Sequence, residues 1–341
     1  MRAVGVNRPY PLCVFPVGFA ACGTFSSRHS MLRLFLLLCG ACGIALGADV
    51  APAMNFGQIK AVCVIGDVTA TNQDDKSVTP LHNDDLLFQN YSVKTATDSS
   101  VVLVFSNGAT VRLGADTEMS IGEFLQAPFP GEELAVGKLE QEPGPSSTKL
   151  RLVHGEIIGR VLRLHDRSSY TVYTPIGAAG IRGTTFRHVY RPVPNGTALF
   201  ASATDEGEVA FTTNDGQVTP ITAGIELSGH TRPPRRGGFA QFGTHDIARR
   251  TKVAIDHHVG VMRVVKARVI FRRADTLGSR SAKPLLRRDP LARRETLDDF
   301  KQIEREVQDR AKADAEKQAR LARAQKEKAA KPAPKAPAKQ N

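Results

Sequence analysis

The chain has 341 residues, a hydrophobic fraction of 41%, an aromatic fraction of 6% and no tryptophan, which is enough apolar material for a core in about two domains. Its formal net charge is +12. Four of its five cysteines lie before residue 48, so a chain cleaved there keeps only Cys63, which excludes an internal disulfide and a multi-cysteine metal site.

The charge is divided unevenly along the chain, and this division predicts at least three regions. Residues 48–229 contain 13 basic and 21 acidic residues, whereas residues 230–294 contain 17 basic and 4 acidic ones. Residues 295–341 mix 12 basic with 9 acidic residues. An acidic body is therefore followed by a strongly basic segment and then by a mixed-charge tail.

The N-terminal region, residues 1–47, has the features of a signal peptide. An apolar run begins at Met31, is too short for a clear membrane span, and ends in small residues before Ala48. We expect translation to start at Met31 and cleavage to follow Gly47, which predicts a periplasmic or secreted protein. The alternative is an uncleaved signal that anchors the chain in the membrane.

Residues 56–229 are predicted to form an all-β domain. Short runs rich in β-branched residues alternate with glycine turns, and Ser106-Asn-Gly108 predicts a hairpin. The recurrence of strand, glycine and strand is typical of a β-roll or β-solenoid, with a β-sandwich as the alternative. The stretch Gln126–Thr148 is rich in Pro and Gly and is predicted to be a surface loop. Two strands are expected around His154-Gly-Glu156.

The most distinctive stretch is Tyr170–Phe186, which starts as a strand and continues with a proline and three evenly spaced glycines. Glycines allow backbone conformations and close approaches that a Cβ would forbid. Arg182 is the only charge in the stretch, so we expect it to pair with an acid of the body and its loss to loosen the domain. We interpret the stretch as structural first, with binding as a second role. Its defining residues are Thr174, Pro175, Gly177, Gly180, Arg182, Gly183, Thr184 and Phe186.

The segment T-P-I-G-A-A-G-I-R-G-T-T-F within this stretch resembles the signature of the FecR-domain family. Other matching segments follow the family's order, from Asn83-Asp-Asp-Leu86 through Val102–Leu113 and Leu152–Ile157 to Ile221–Gly224. The resemblance implies an extracytoplasmic, β-solenoid-like domain. In the family's best-known members, this domain belongs to an inner-membrane regulator that relays a signal from an outer-membrane receptor to a sigma factor.

Three functions are compatible with this resemblance. The first hypothesis is a non-catalytic binding module of the bacterial cell envelope. Residues 1–30 do not look like a cytoplasmic, sigma-binding helical domain, so a transmembrane signalling regulator of the anti-sigma type is the alternative. An envelope hydrolase is the third.

No residue pattern predicts an enzyme, a cofactor or a metal site. The glycines of Gly177–Gly183 lack the lysine and the following helix of a phosphate loop. Asp67, Asp84 and Asp85 lack the spacing of a calcium loop and are expected to be solvated turn residues. Adjacent histidines such as His257-His258 would point to opposite faces of a strand and would chelate poorly.

The basic segment, residues 230–294, is a candidate for tethering the body. If it follows a signal peptide, Arg232–Arg294 would meet a cell-envelope protein, an acidic polymer or an anionic lipid surface, and nucleic acid is not expected as a partner. A solvated linker is the alternative. Within the segment, Val259–Phe271 is apolar enough to dock as a strand or a short helix.

The tail is predicted to begin as a charged amphipathic helix over Glu295–Ala330. Its apolar residues Leu297, Phe300, Ile303 and Val307 recur three or four positions apart, which predicts one apolar edge. The edge would fit a partner helix, and a solvated helix is the alternative. Residues 331–341 consist mainly of Pro, Ala and Lys and are predicted to be disordered.

Overall fold

The computed structural model describes residues 53–194, 196–231 and 241–278, together with nine scattered helical positions between Gln302 and Arg323. The chain divides into a unit formed by Met1–Ala51 and a unit formed by Pro52–Asn341, and the described residues all belong to the second unit. The predicted signal region therefore lies outside the described residues, as does the predicted tail, residues 331–341.

The described part of the second unit consists mostly of β-strands, which confirms the all-β prediction at the level of fold class. Its strands are β1 (Asn55–Phe56), β2 (Ile59–Ile65), β3 (Val68–Asn72), β4 (Val78–Pro80), β5 (Leu86–Leu87), β6 (Tyr91–Thr95), β7 (Ser100–Phe105), β8 (Thr110–Leu113), β9 (Glu118–Gln126), β10 (Glu133–Ala135), β11 (Ser146–Arg160), β12 (Ser169–Thr174), β13 (Gly177–Ile181), β14 (Thr185–Pro192), β15 (Ala198–Glu206), β16 (Glu208–Thr213), β17 (Val218–Thr222), β18 (Ile225–Thr231), β19 (Gln241–Asp246), β20 (Ile270–Arg272) and β21 (Leu277–Gly278). One complete α-helix, α1 (Arg249–Lys266), and two single-turn 3-10 helices, Val136–Lys138 and Arg273–Asp275, complete the described elements.

Two large sheets account for most of the strand pairing. The first sheet has the order β4-β3-β6-β9-β11-β12-β13-β16-β17, and β1 joins the far end of β9 to β21. The second sheet has the order β5-β2-β7-β8-β11-β14-β15-β18-β19. Every pairing between these named strands is antiparallel except that of β11 with β12, and the predicted hairpin at Ser106-Asn-Gly108 is confirmed as β7–β8.

Strand β11 belongs to both sheets. Its first half, up to His154, pairs with β9 in the first sheet, and its second half, from Gly155, pairs with β14 in the second. Gly155 has a φ of +100°, and a Cβ there would lie 2.5 Å from the Cα of Thr117, so only glycine fits this crossing. The prediction of two strands around His154-Gly-Glu156 was wrong, because glycine redirects a single strand here and does not end it.

The facing sides of the two sheets share one apolar core. Its largest fully buried side chains include Phe105, Phe124, Phe186, Phe200 and Phe211, which come from both sheets. Successive residues of a strand point to opposite faces, so alternate positions fill this core and the others face outward. The pairing is compatible with the rungs of a β-roll or solenoid and with a sandwich, and the choice between these stays a prediction.

A second apolar core lies on the outer face of the second sheet, beneath α1. Val261, Met262, Val264 and Val265 of the helix are buried there against strand residues such as Val102 and Val104. The helix begins ten residues before the predicted docking stretch Val259–Phe271, and β20 follows it. The docking prediction is confirmed, so this part of the basic segment is not a solvated linker.

The sequence predicted a surface loop over Gln126–Thr148, and this prediction was wrong. Phe129, Leu134 and Val136 are buried in the second core, and β10 pairs with β20. The Pro and Gly residues interrupt regular structure, but the intervening apolar residues still bury their side chains. In the predicted helix Glu295–Ala330, the described positions are helical and exposed, and the rest lies outside the described residues.

Among the described residues, no helix is both long enough and apolar enough to cross a membrane.

Candidate functional site

The family-like motif forms a hairpin and then a crossing between the two sheets. Strands β12 and β13 pair through Thr174 and Gly177, and the hydroxyl of Thr174 donates a hydrogen bond of 3.0 Å to the carbonyl of Gly177. Pro175 lies in the turn, where its carbonyl accepts a hydrogen bond of 2.9 Å from Nδ2 of Asn214. The chain then leaves the first sheet after Ile181 and enters the second at Thr185.

The three motif glycines have different surroundings. A Cβ on Gly177 would collide with the carbonyl oxygen of Thr212 on the paired strand. Gly183 has a φ of +67°, which an L-residue with a side chain rarely adopts, and it lies in the crossing between the sheets. Gly180 has an ordinary φ, and a Cβ there would have no neighbour closer than 3.8 Å. Only Gly177 and Gly183 are therefore required by the backbone.

Beyond the crossing, the motif becomes part of the core. Thr184 and Phe186 are buried, and the Phe186 ring packs edge-on to Tyr170 with 6.4 Å between ring centroids. A Cβ on Gly159 would collide with the same ring, so this glycine makes room for Phe186 on the neighbouring strand. These residues have a packing role.

Arg182 lies at the surface. Its Nη2 donates a hydrogen bond of 2.8 Å to Oδ1 of Asp166, so the expected partner among the body's acids is present. However, 63% of the arginine side chain and 96% of the aspartate side chain are exposed. A pair this exposed contributes little to stability, so the expectation that Arg182 pins the domain is not supported.

A network of charged side chains covers the outer face of the second sheet beside α1. Nε of Arg187 donates to Oε1 of Glu156 at 2.8 Å, and Nη1 of the same arginine lies 3.8 Å from Oε2 of Glu226. Arg191 lies 3.6 Å from Glu156, and His245 lies 3.5 Å from Glu226. Two half-buried carboxylates thus face two arginines of β14 and the imidazole of His245 on β19.

The helix adds a histidine to this network. Burial, together with Arg112 and the other cations nearby, lowers the pKa of His258 to about 3, so its imidazole is neutral at physiological pH. Burial also lowers the pKa of Arg112, and Glu156 opposes that shift. The argument against chelation assumed that His257 and His258 lie on a strand, whereas both lie on helix α1. No group of three metal-ligating side chains comes together within the described ranges.

The acids that were considered for calcium have other roles. Asp85 is buried, contrary to the expectation of a solvated turn residue, and its Oδ2 accepts a hydrogen bond of 2.8 Å from the backbone N–H of His82. Asp84 has a φ of +63° and belongs to the same turn. Asp67 lines an open pocket of about 520 Å³ with His82 and Asn83.

A second pocket, of about 360 Å³, lies between the end of α1 and the second sheet. Its lining combines three cations, Arg160, Arg263 and Lys266, with apolar side chains such as Leu162 and Met262. None of the eight motif residues lines either pocket. Sequence reasoning missed this site because Arg160 and Lys266 are more than a hundred residues apart, and only the pairing of the basic segment with the body joins them.

Comparison with known proteins identifies the domain. Residues 91–219, from β6 into β17, match the model of the FecR protein family. No curated protein matches the chain. Two crystal structures of a candidate anti-sigma factor from Parabacteroides distasonis ATCC 8503 are similar, each with 13% identity and a TM-score of 0.34. The similarity covers 48% of this chain and 62% and 63% of those chains, less than two thirds of their length. The resemblance to the FecR family that the motif predicted is thus confirmed over residues 91–219.

Proposed function

We propose that this protein is a FecR-type regulator of signal transduction that works by binding a protein partner and not by catalysis. The observation that carries the proposal is the match of residues 91–219 to the FecR family. The sequence is compatible with an envelope-binding module and, as the alternative, with a signalling regulator. The family match favours the regulator over the general binding module. The non-catalytic part is supported by the motif, whose residues form a hairpin, a crossing and a packing contact.

The regulatory proposal is tested by deleting the gene and measuring the transcriptome, with the wild-type gene returned as the control. A regulator predicts that a discrete set of transcripts changes and that the returned gene restores it. An unchanged transcriptome under conditions in which the protein is made would contradict regulation and leave the envelope-binding module as the better function.

The proposed site of action is the periplasm or the cell exterior, as the signal-like residues 1–47 suggest. Mass spectrometry of the N-terminus of the protein isolated from its own cells tests this proposal. A mature chain that starts at Ala48 would support export with cleavage after Gly47. A retained N-terminal region found in the membrane fraction would support the anchored, anti-sigma type of regulator.

A tethering role for the basic region is a separate proposal, and the fold decides how it is tested. Helix α1 and β20 bury side chains in the second core, and β21 pairs with β1, so removing residues 230–341 would damage the body. The informative truncation removes only residues 279–341. If Arg232–Arg294 and Glu295–Ala330 hold the protein to an envelope partner or an anionic surface, this truncation lowers co-sedimentation with envelope membranes. Equal co-sedimentation of both chains would contradict tethering by the removed part.

A further inference from the structure

The pocket of about 360 Å³ beside the end of α1 is assembled from distant parts of the chain. The turn at Gly108 and the end of β11 at Arg160 form one side, and the last turn of α1 forms the other. Gly137, which also lines the pocket, packs against the residue that follows α1, because a Cβ there would lie 2.5 Å from the Cα of Ala267. The docked helix therefore defines the pocket, and this volume is within the range of small-molecule sites.

Charge in this pocket is unbalanced. Arg160, Arg263 and Lys266 supply three positive charges, and Glu140 is the one acid of the lining, which leaves a net charge of +2. Arg160 has a loose contact of 3.8 Å with Glu206, an acid outside the pocket that is 62% exposed. In the part of the chain that the structure describes, no carboxylate lies within ion-pair distance of Arg263 or Lys266.

Lys266 is held in an unfavourable position for a cation. Burial and the nearby Arg160 lower the pKa of its ammonium to about 8. The carbonyls at the C-terminus of α1 favour positive charge on the last turn, yet they do not offset these two effects. A half-buried lysine that faces a second cation is stabilised when an anion binds between them.

We propose that this pocket binds a phosphate group carried by a small ligand with an apolar part. A phosphate monoester carries a charge of about −1.5 to −2 at neutral pH, which matches the net charge of the lining. The two guanidinium groups can donate paired hydrogen bonds to phosphate oxygens, and the ammonium adds a point charge. Leu139, Leu162 and Met262 form the apolar wall that would contact the rest of the ligand.

This inference is independent of the proposed regulatory function. Titration calorimetry of the full chain tests it with two probes, inorganic phosphate and hexyl phosphate. We expect both probes to bind, and hexyl phosphate to bind several-fold more tightly because its alkyl chain covers the apolar wall. The absence of binding by both probes would overturn the proposal.

Three variants test whether the pocket is the site. Arg263→Gln and Lys266→Gln should each weaken both probes by about tenfold or more, since each removes a charged donor. Glu140→Gln removes the one acid of the lining and should strengthen both probes, which a general loss of folding cannot do. Arg250→Gln makes the same charge change at the exposed start of α1 and should leave both affinities unchanged. Equal losses at Arg250 and Arg263 would show non-specific charge attraction and overturn the proposal.

A second experiment, with lipid vesicles, distinguishes a lipid headgroup from a free phosphomonoester as the ligand. If the ligand is a lipid headgroup, the protein should co-sediment with vesicles that contain phosphatidic acid, and the Lys266→Gln variant should not. If the ligand is a free phosphomonoester, soluble hexyl phosphate should bind while the vesicles do not retain the protein. Both outcomes support a phosphate site, whereas equal retention of the wild type and the Lys266→Gln variant would assign vesicle binding to another surface and contradict a lipid headgroup as the ligand of this pocket.

Discussion

Arg187 and Glu156 form a hydrogen-bonded ion pair of 2.8 Å that joins β14 to β11 on the outer face of the second sheet. Only 20% of the arginine side chain and 24% of the glutamate side chain are exposed. Arg182, five residues earlier in the chain, forms a pair of the same length with Asp166 in which both side chains are mostly exposed. Because the two pairs have the same length but different exposure, comparing them shows how burial alone changes the contribution of an ion pair to stability.

The first prediction follows from this difference. Arg187→Met should lower the free energy of unfolding by about 2–3 kcal/mol, because Glu156 and Glu226 would remain half-buried without the guanidinium that they share. Arg182→Ala should change it by less than about 1 kcal/mol. Urea unfolding followed by circular dichroism measures both variants. Equal destabilisation by the two substitutions would contradict the assignment of Arg182 to the surface.

The second prediction concerns the motif glycines. Gly177→Ala should destabilise the domain by about 3 kcal/mol, because the added methyl group meets the backbone carbonyl of Thr212, which cannot move without breaking strand pairing. Gly183→Ala should cost about 1–2 kcal/mol through its positive φ. Gly180→Ala should be within about 0.5 kcal/mol of the wild type, since the space is open.

Thermal unfolding of the three variants measures this order. The same comparison tests the interpretation of the motif as structural. If all three substitutions leave the melting temperature unchanged but one of them abolishes partner binding, the glycines would belong to a surface site and not to the architecture.

Local patterns allowed much of the β body to be predicted. The β7–β8 hairpin follows from Ser106-Asn-Gly108 and the apolar runs on either side, because turn and strands are adjacent in sequence. The crossing of β11 at Gly155 could not be predicted, since the need for glycine there comes from Thr117, a residue of the turn between β8 and β9. The start of α1 was missed because its first turns carry charged residues and its apolar face begins only near Ile255.

The pocket and the charged network depend on contacts between distant residues. Arg160 and Lys266 look like ordinary surface cations in sequence, and only the docking of α1 places them together. His188 likewise lies in strand β14, where side chains alternate between the two faces of the sheet. This alternation predicts that the histidine faces the core, but it does not predict that its imidazole stays neutral. Such properties require the tertiary surroundings of each group.

The third prediction concerns acid stability. His188 is fully buried beside Phe186, and burial lowers the pKa of its imidazole to about 3. An unfolded histidine titrates near 6.5, so between pH 6.5 and 3 the unfolded chain binds a proton that the folded chain does not. The group therefore stabilises the fold above pH 6.5, and this stability falls by about 1.4 kcal/mol for each pH unit below it.

Replacing His188 removes this dependence. Between pH 7 and pH 5, the His188→Leu variant should lose about 2 kcal/mol less stability than the wild type, as measured by urea unfolding at each pH. His230→Leu makes the same change of residue type at an exposed histidine and serves as the control. The lowered pKa of His258 on α1 also makes the fold less stable in acid, so the His188→Leu variant should keep part of the acid sensitivity. A His188→Leu profile parallel to that of the wild type would contradict a neutral, buried imidazole.

The fourth prediction concerns the docking of α1. Val265 is buried in the second core, whereas Val253 on the same helix is 60% exposed. Val265→Asp should undock the last turns of the helix, because an unpaired carboxylate in an apolar core costs several kcal/mol. Hydrogen exchange should then accelerate over α1 and over β10 and β20, while β12–β15 stay protected. Val253→Asp makes the same change in solvent and should leave the exchange pattern of the wild type. Unchanged exchange in the Val265 variant would contradict the docked helix and, with it, the pocket that its last turn encloses.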